Sequence, residues 1–528
     1  MACPSSALSR SRRWWALAAL VACNLLLGLD TTVLNVALPS ISAELGATGG
    51  QLQWMVNGYL VVLAALMLPG GLLGDRFGRR RVLVVGLGVF LGASLLGAFA
   101  HTVWLVVAAR ALMGAGAALV MPLALSVLPS LFGPQERDRA LGVVSAVSAL
   151  GFPLGPLLGG WLVERFWWGS VFLVNVPLAL AGIAACVLLL PESRDPAPPR
   201  LDATGAALTV AGLGALVLAL NEGPARGWAS PLVLVATGAA AVLLTALVRR
   251  CRGQERPLLD LTLLRQPGFV WSTAAATLVS FVLAALMFAL PQYLQDVRGY
   301  DGQGAGLAML PLMAAMAAAP KLTGALTARF GARAVIGGGL LTLGAATLLG
   351  TAVGQAGGYP ALALWLAPAG LGLGTAIVPA VGYALGALPT ERAGSGSGLL
   401  TTLRQCGSAL GVAVLGGILT SVYAARLDTD ALPAAQAVEA RQSVAAAHLV
   451  ADRLTAGRLA ASADSAFTDG TRVLLAACAA AALAVALLVL RFLPVPEPAP
   501  EPTPEPAPAP TPAPRTGTTA PDRRSAER

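Results

Sequence analysis

Apolar stretches of membrane-crossing length alternate with short polar segments along almost the whole chain. They run over 14–38, 52–73, 82–100, 103–128, 140–162, 171–190, 204–221, 230–248, 269–290, 305–326, 334–353, 360–385, 397–421 and 471–492. A helix needs about 20 residues to cross a hydrocarbon core, so each stretch predicts a spanning helix and the chain reads as an all-α membrane protein with fourteen of them. Composition agrees: 56% of the 528 residues are hydrophobic and 12% charged, against about 25% charged in soluble domains. Such a chain has too little polar surface for water.

Arginines fix the expected orientation. With the N-terminus inside, the inner segments carry Arg10, Arg12, Arg13, then Arg76, Arg79, Arg80, Arg81, then Arg137 and Arg139, with Arg249, Arg250, Arg252, Arg256 and Arg265 further on. The short outer loops hold Arg165, Arg226 and Arg298. The positive-inside bias therefore predicts both termini in the cytoplasm of a bacterial cytoplasmic (inner) membrane. The net charge of +9 is mostly this topology signal, and no basic run suggests nucleic acid. Arg10 to Arg13 before Trp14–Ala22 has the look of a cleaved leader, but the apolar run continues to Leu38 and reads as the first span. Six cysteines show neither metal nor redox spacing, and neither a metal site nor a cofactor is expected.

Outside the spans, residues 1–13 read as a cytoplasmic N-terminus. Residues 493–528, rich in Pro, Ala, Glu and Thr, read as a disordered tail. Segment 422–470 mixes Ala and Val with Asp428, Asp430, Glu439, Arg441 and Asp452, and predicts amphipathic helix lying outside the membrane or capping the last two spans.

Within the spans, the sequence Gly151-Phe-Pro-Leu-Gly155-Pro156-Leu-Leu-Gly159-Gly160 stands out. Glycine and proline weaken a helix, and in lipid such a segment survives only where another helix covers it. It predicts a bend packed closely on a partner. Between spans two and three lies Gly71-Leu-Leu-Gly74-Asp75-Arg76-Phe-Gly78-Arg79-Arg80-Arg81, where an acid ending one helix faces basic residues starting the next. That pattern can form a charge latch, expected to favour the outward-facing state. Ala328-Arg329-Phe330-Gly331-Ala332-Arg333 repeats the Arg-Phe-Gly core two spans into the second half, with Ala328 in place of the acid. Internal repeats of this kind are common in transporters.

These motifs together resemble the major facilitator superfamily: the first is similar to the antiporter motif of its fifth helix, the second to its signature loop. Leu29-Asp30-Thr31-Thr32-Val33-Leu34-Asn35, Gln53-Trp54-Met55-Val56-Asn57-Gly58-Tyr59, Pro257-Leu-Leu-Asp-Leu261 and Leu403-Arg404-Gln405 resemble landmarks of its fourteen-span drug:proton antiporters. The resemblance implies a major facilitator fold of two pseudo-symmetric six-helix bundles in a 6+2+6 order: 14–190, then 191–268 with two inserted helices and a cytoplasmic linker, then 269–492.

Charged residues inside spans carry the expected chemistry. A carboxylate there is costly and usually faces a cavity or a partner; desolvation favours its protonated form and a nearby cation its charged form. Asp30 is therefore the expected proton-coupling group, unless it is a local cap bonded to Thr31 or Asn35. Arg110, in Arg110-Ala-Leu-Met-Gly114-Ala-Gly116, matches the fourth-helix motif; the resemblance implies a part in proton transfer, and snorkelling to the surface is the bland alternative. Arg404 stands between the same two readings, and Asn35 joins the proton and substrate set. Glu222 with Asn221 is at best a peripheral substitute for the acid that 305–326 lacks, so a lipophilic drug, antibiotic or secondary metabolite is a better expected cargo than a divalent cation. Without a Walker loop or paired histidines, an ATP-driven pump and a zinc protease are excluded. The expectation is a proton-coupled exporter, not an enzyme, most simply a monomer in the lipid bilayer exchanging protons for a small molecule. A same-fold importer or facilitator and a transport-inactive sensor remain alternatives.

Overall fold

The computed structural model describes residues 10–126, 154–194, 202–254, 261–352, 358–388, 393–430 and 432–494. Residues 495–528 of the Pro-rich tail, Gly151, Arg137, Arg139, Arg256, 257–260 and Arg392 lie outside the described residues. Among those described, every regular element is helical, and twelve helices are long and apolar enough to cross a membrane.

In chain order the first half is α1 (Arg10–Leu45), α2 (Gly49–Phe77), α3 (Arg79–Ala98), α4 (Val103–Ser126), α5 (154–165) and α6 (Ser170–Leu189). Two helices follow, α7 (Ala203–Arg226) and α8 (Pro231–Gly253). The second half holds α9 (Pro267–Gln292), α10 (Gly302–Ala308), α11 (Leu310–Ala352), α12 (Tyr359–Gly386), α13 (Ala393–Arg426), α14 (Ala434–Ala440), α15 (Val444–Leu454) and α16 (Gly457–Phe492).

Two cores follow the division for the most part, although Phe288, Ala409, Val412 and Ala413 of the second half pack into the first. One gathers Leu20, Leu34, Met55, Tyr59, Phe90, Met113 and Phe172 from α1–α4 and α6; the other gathers Phe269, Leu286, Leu312, Leu340, Trp365, Leu373 and Leu475 from α9–α16. Large side chains that face neither, such as Trp104, Leu188, Val235 and Val242, are exposed, as helices bathed in lipid require. The inserted pair α7–α8 packs on itself around Ala219, Val233 and Ala236. Its entry is fixed by Asp202, which accepts from the Gly205 N–H (2.8 Å) and pairs with Arg250 of α8 (2.9 Å). Burial alone would push the Asp202 carboxyl up, but the hydrogen bonds from Arg250 and Gly205 hold it below its ordinary range.

The internal repeat is visible in the backbone. Gly78 (φ 107) separates α2 from α3, and Gly331 (φ 79) breaks α11 at the equivalent place. Each follows an arginine whose guanidinium covers the adjacent phenylalanine ring, Arg76 on Phe77 at 5.7 Å and Arg329 on Phe330 at 5.3 Å. Only glycine takes such φ values without strain, which is why both loops turn within one residue.

Helices outrun their apolar stretches at several ends, most of all at the start of the last one. The last begins at Gly457 although its apolar run starts at 471, because the alanine-rich turns before it have high helix propensity. The segment from 427 to 456 is correspondingly short: α14 and α15, tied to α13 where the Tyr423 hydroxyl donates to Ala440 O (2.9 Å). It also reaches the first half. Gly49 N–H donates to Gln442 O (2.9 Å) and Ser42 Oγ to Ser443 Oγ (3.1 Å), while Gln295 Nε2 donates to Val36 O (2.9 Å). These bonds between the halves lie on the face opposite the Asp75 loop.

Candidate functional site

Four helices converge on one ion pair. Asp30 of α1 and Arg110 of α4 are 1% and 2% exposed, and Arg110 Nη1 lies 2.7 Å from Asp30 Oδ2. Asn175 of α6 donates from Nδ2 to the other carboxylate oxygen (2.9 Å). Arg110 Nε donates to Met55 O (3.4 Å), and its guanidinium lies 4.3 Å from the Tyr59 ring centroid, both on α2. Small residues permit the approach: a Cβ on Gly114 would lie 2.5 Å from Tyr59 O, and one on Gly116 would lie 2.8 Å from Gly86 O of α3. Removing one partner of a buried pair strands the other and costs about 3–5 kcal/mol.

The geometry rules on the local alternatives. Asp30 does not cap its own helix: Thr31 Oγ1 donates to Gly28 O (2.7 Å) and Asn35 Nδ2 to Thr31 O (3.2 Å). Nor does Arg110 snorkel, since it is buried between helices. Asn175 was not singled out in the sequence; its signal was an amide inside the apolar run 171–190, weak because amides in spans often bond only their own backbone.

In front of Arg110 a cavity of about 190 Å³ opens between the halves. The first half contributes Asn24, Thr31, Asn35, Tyr59 and Arg110 with Leu27, Leu60 and Leu63; the second contributes Ser280, Leu283, Met287, Arg404, Gln405 and Ser408. Asp30 is not part of this wall and sits behind Arg110. Arg404 lines the cavity and donates from Nε to Ser280 Oγ (3.3 Å), so it too does not reach for a surface. Glu222 is away from it, paired with Arg226 (2.6 Å), while Asn57 Nδ2 approaches Asn221 Oδ1 (3.5 Å).

The Asp75 loop forms its contacts within the first half. Asp75 pairs with Arg79 (2.9 Å). Glu192, just past α6, accepts from the Arg80 N–H (3.2 Å) and lies 3.7 Å and 3.5 Å from Arg80 and Arg81, and Arg79 N–H donates to Ser193 O (2.9 Å). Glu192 is thus a second acid at this loop, beside Asp75, that the motif alone did not reveal. Gly71 also proves less crowded than Gly74: a Cβ there meets only Pro122 at 3.7 Å, whereas at Gly74 it would run into Leu123. Surface pairs contribute about 0–1 kcal/mol but a residue forced into glycine-only backbone costs about 1–3. Gly78→Ala should therefore lower thermal stability clearly more than Glu192→Gln, measured by melting of the purified protein; an equal effect would mean that the ion pairs, not the turn, hold this loop.

Of the glycine-proline segment, Gly155, Pro156, Gly159 and Gly160 are described and lie on α5. A Cβ at Gly155 would collide with Thr32, and one at Gly159 would stand 2.8 Å from Val33 O, so one face of α5 rests on the turns of α1 that carry Asp30. The other face meets α10. A Cβ at Gly160 would strike Gly302 O, and one at Gly306 would strike Pro156 O. The close covering expected from the sequence is present along the described part of the segment, where α5 is a wedge between the halves; the expected bend at 151–153 lies outside the described residues.

Comparison with known proteins matches residues 20–424 to the Major Facilitator Superfamily. The chain is 36% identical over 436 residues to the probable actinorhodin transporter of Streptomyces coelicolor, covering 80% of this chain and 75% of that one. It is 33% identical over 420 residues to the tetracenomycin C resistance and export protein of Streptomyces glaucescens, covering 79% and 78%. Among solved structures, a bacterial homologue of the human lysosomal transporter Spinster in an inward-facing, unoccupied conformation superposes with a TM-score of 0.68 at 19% identity, covering 92% of this chain and 98% of that one. Two helical cores, a loop repeated at Gly78 and Gly331, and a family match over most of the length agree: this chain belongs to the major facilitator superfamily and is a membrane transporter, not an enzyme.

Proposed function

We infer that the protein exports a lipophilic drug, antibiotic or secondary metabolite in exchange for protons, by alternating access of the central cavity. The observation that carries this reading is the Asp30–Arg110 pair, a carboxylate held out of the cavity behind the arginine that lines it. A proton reaching Asp30 neutralises it and leaves Arg110 as a buried cation without its partner, an unfavourable state that a change of conformation can relieve. The names of the two relatives, an actinorhodin transporter and a tetracenomycin C export protein, support the direction and the kind of cargo.

In this reading the 51-residue apolar unit Gly302–Ala352, broken at Gly331, counts as two spans, and α5 with the residues before it as another. That makes fourteen, in two bundles of six flanking α7–α8, with both termini on the cytoplasmic side. The contacts between the halves opposite the Asp75 loop then close the outer face, and the cavity belongs to the inward-facing state. α5, resting on the Asp30 turns of α1 and on α10 of the second half, is placed to couple the carboxylate to that closure.

Inverted membrane vesicles test the reading. With an inward-acidic gradient, vesicles carrying the protein should accumulate a fluorescent antibiotic, and collapse of the gradient should release it. Accumulation that persists after the gradient is abolished would rule out proton coupling.

A further inference from the structure

The central cavity carries a charge that its own walls do not cancel. Among its described lining residues the charged ones are Arg110 and Arg404. Arg110 is neutralised from behind by Asp30 at 2.7 Å. Arg404 has no carboxylate within ion-pair distance among the described residues, and its hydrogen bond in the cavity wall runs from Nε to the neutral hydroxyl of Ser280. The terminal nitrogens of a guanidinium form a planar fork that fits a carboxylate or another flat oxyanion in two parallel hydrogen bonds.

The surroundings limit what can answer that charge. Ser408 Oγ lies 3.4 Å from Ser280 O and Gln405 stands beside Arg404 on the wall, so neutral donors and acceptors flank the fork without satisfying it. Leu283, Met287 and Leu60 make the neighbouring wall apolar. A fixed cation inside a membrane is costly unless it has a partner. A cationic cargo here would add like charge to it, whereas an anionic one would remove the cost.

We propose that the cavity recognises lipophilic monoanions, an apolar body bearing one carboxylate or acidic phenolate, with the anionic oxygens seated on Arg404. This rests on the export reading for what happens next, because it names the chemical class of that cargo. Arg404 is then the charge-selecting residue of the second half, and Asp30 with Arg110 the proton-handling pair of the first. The two roles fall on opposite walls, so each can be altered without the other.

The test uses two dyes that share a xanthene body and differ in charge: fluorescein, an anion near neutral pH, and rhodamine 6G, a cation. Fluorescence polarisation with the purified full-length protein in detergent should show fluorescein binding at least tenfold tighter than rhodamine 6G. Arg404→Gln should erase that preference by weakening fluorescein at least tenfold, and Arg404→Lys should retain part of it. Melting curves and gel filtration of both variants verify that they remain folded. Equal or tighter binding of rhodamine 6G, no binding of fluorescein, or fluorescein binding indifferent to Arg404→Gln overturns the proposal. Arg404-dependent fluorescein binding without gradient-driven movement in vesicles would leave the anion site standing and remove the export reading instead.

Discussion

Asp30→Asn should insert and fold yet lose gradient-driven transport by roughly a hundredfold or more, the size expected when about 3 kcal/mol or more of coupling is removed. The amide keeps the shape of the carboxylate and can still meet Asn175 and Arg110, but it takes up no proton. Arg110→Gln strands a carboxylate that is 1% exposed, as Asp30→Asn strands the Arg110 cation; about 3–5 kcal/mol of destabilisation follows from losing either partner and should appear as a lowered melting temperature. The double variant Asp30→Asn/Arg110→Gln separates the two roles. Neutralising both partners removes the stranded charge that each single variant leaves, so the double variant should lose less stability than the two single losses added together, a non-additive result that reports direct coupling. Transport should not recover. A double variant whose gradient-driven transport of substrate matches that of the parent would show that the pair is scaffolding.

How far the site could be seen in the sequence depends on what kind of signal each residue gives. Asp30 and Arg110 stood out because a charge in an apolar span is rare for a solvation reason that holds in any context. Their pairing did not, since it joins residues 80 apart and depends on how α1 and α4 are rotated about their axes. Asn175 and Glu192 were not distinguished for the opposite reason: an amide in a span and an acid in a loop are common, and only the neighbours at 2.9 Å and 3.2 Å give them meaning. The fold was more legible than the site. Span lengths follow from bilayer thickness, and the Arg-Phe-Gly repeat specifies a glycine-only turn that the backbone adopts at Gly78 and Gly331. What the apolar pattern misplaced were helix ends, as at Gly457, because helix propensity continues where hydrophobicity stops.

Arg404 shows the same limit from another side. Its place in the chain fits a snorkelling arginine as well as a cavity arginine, and the difference is one helix face. The hydrogen bond to Ser280 of α9, 124 residues away, decides it.

Gly160→Val should trap the transporter with the face opposite the Asp75 loop open. In this conformation α5 and α10 touch backbone to backbone, and a Cβ at Gly160 would overlap the Gly302 carbonyl, a rigid neighbour that has no side chain to swing aside. Overpacking of a close contact costs about 1–3 kcal/mol. That penalty applies only to the state in which the two helices meet, so it moves the equilibrium toward the other state by the same amount, about 5- to 150-fold. Transport should fall within about the same 5- to 150-fold range, since a carrier that rarely closes one face rarely completes a cycle. Gly155→Leu should fail differently. Its side chain would collide with Thr32 on α1, inside the first half and next to Asp30, and so would disturb the proton site in both states without biasing either. Introducing a cysteine in place of Ser42, whose hydroxyl meets Ser443 across the closed face, gives the readout. An impermeant maleimide should label that cysteine several-fold faster in the Gly160→Val background and at the unaltered rate in the Gly155→Leu background. If the two glycine variants label alike, α5 is a spacer between the halves and carries no directional coupling of its own.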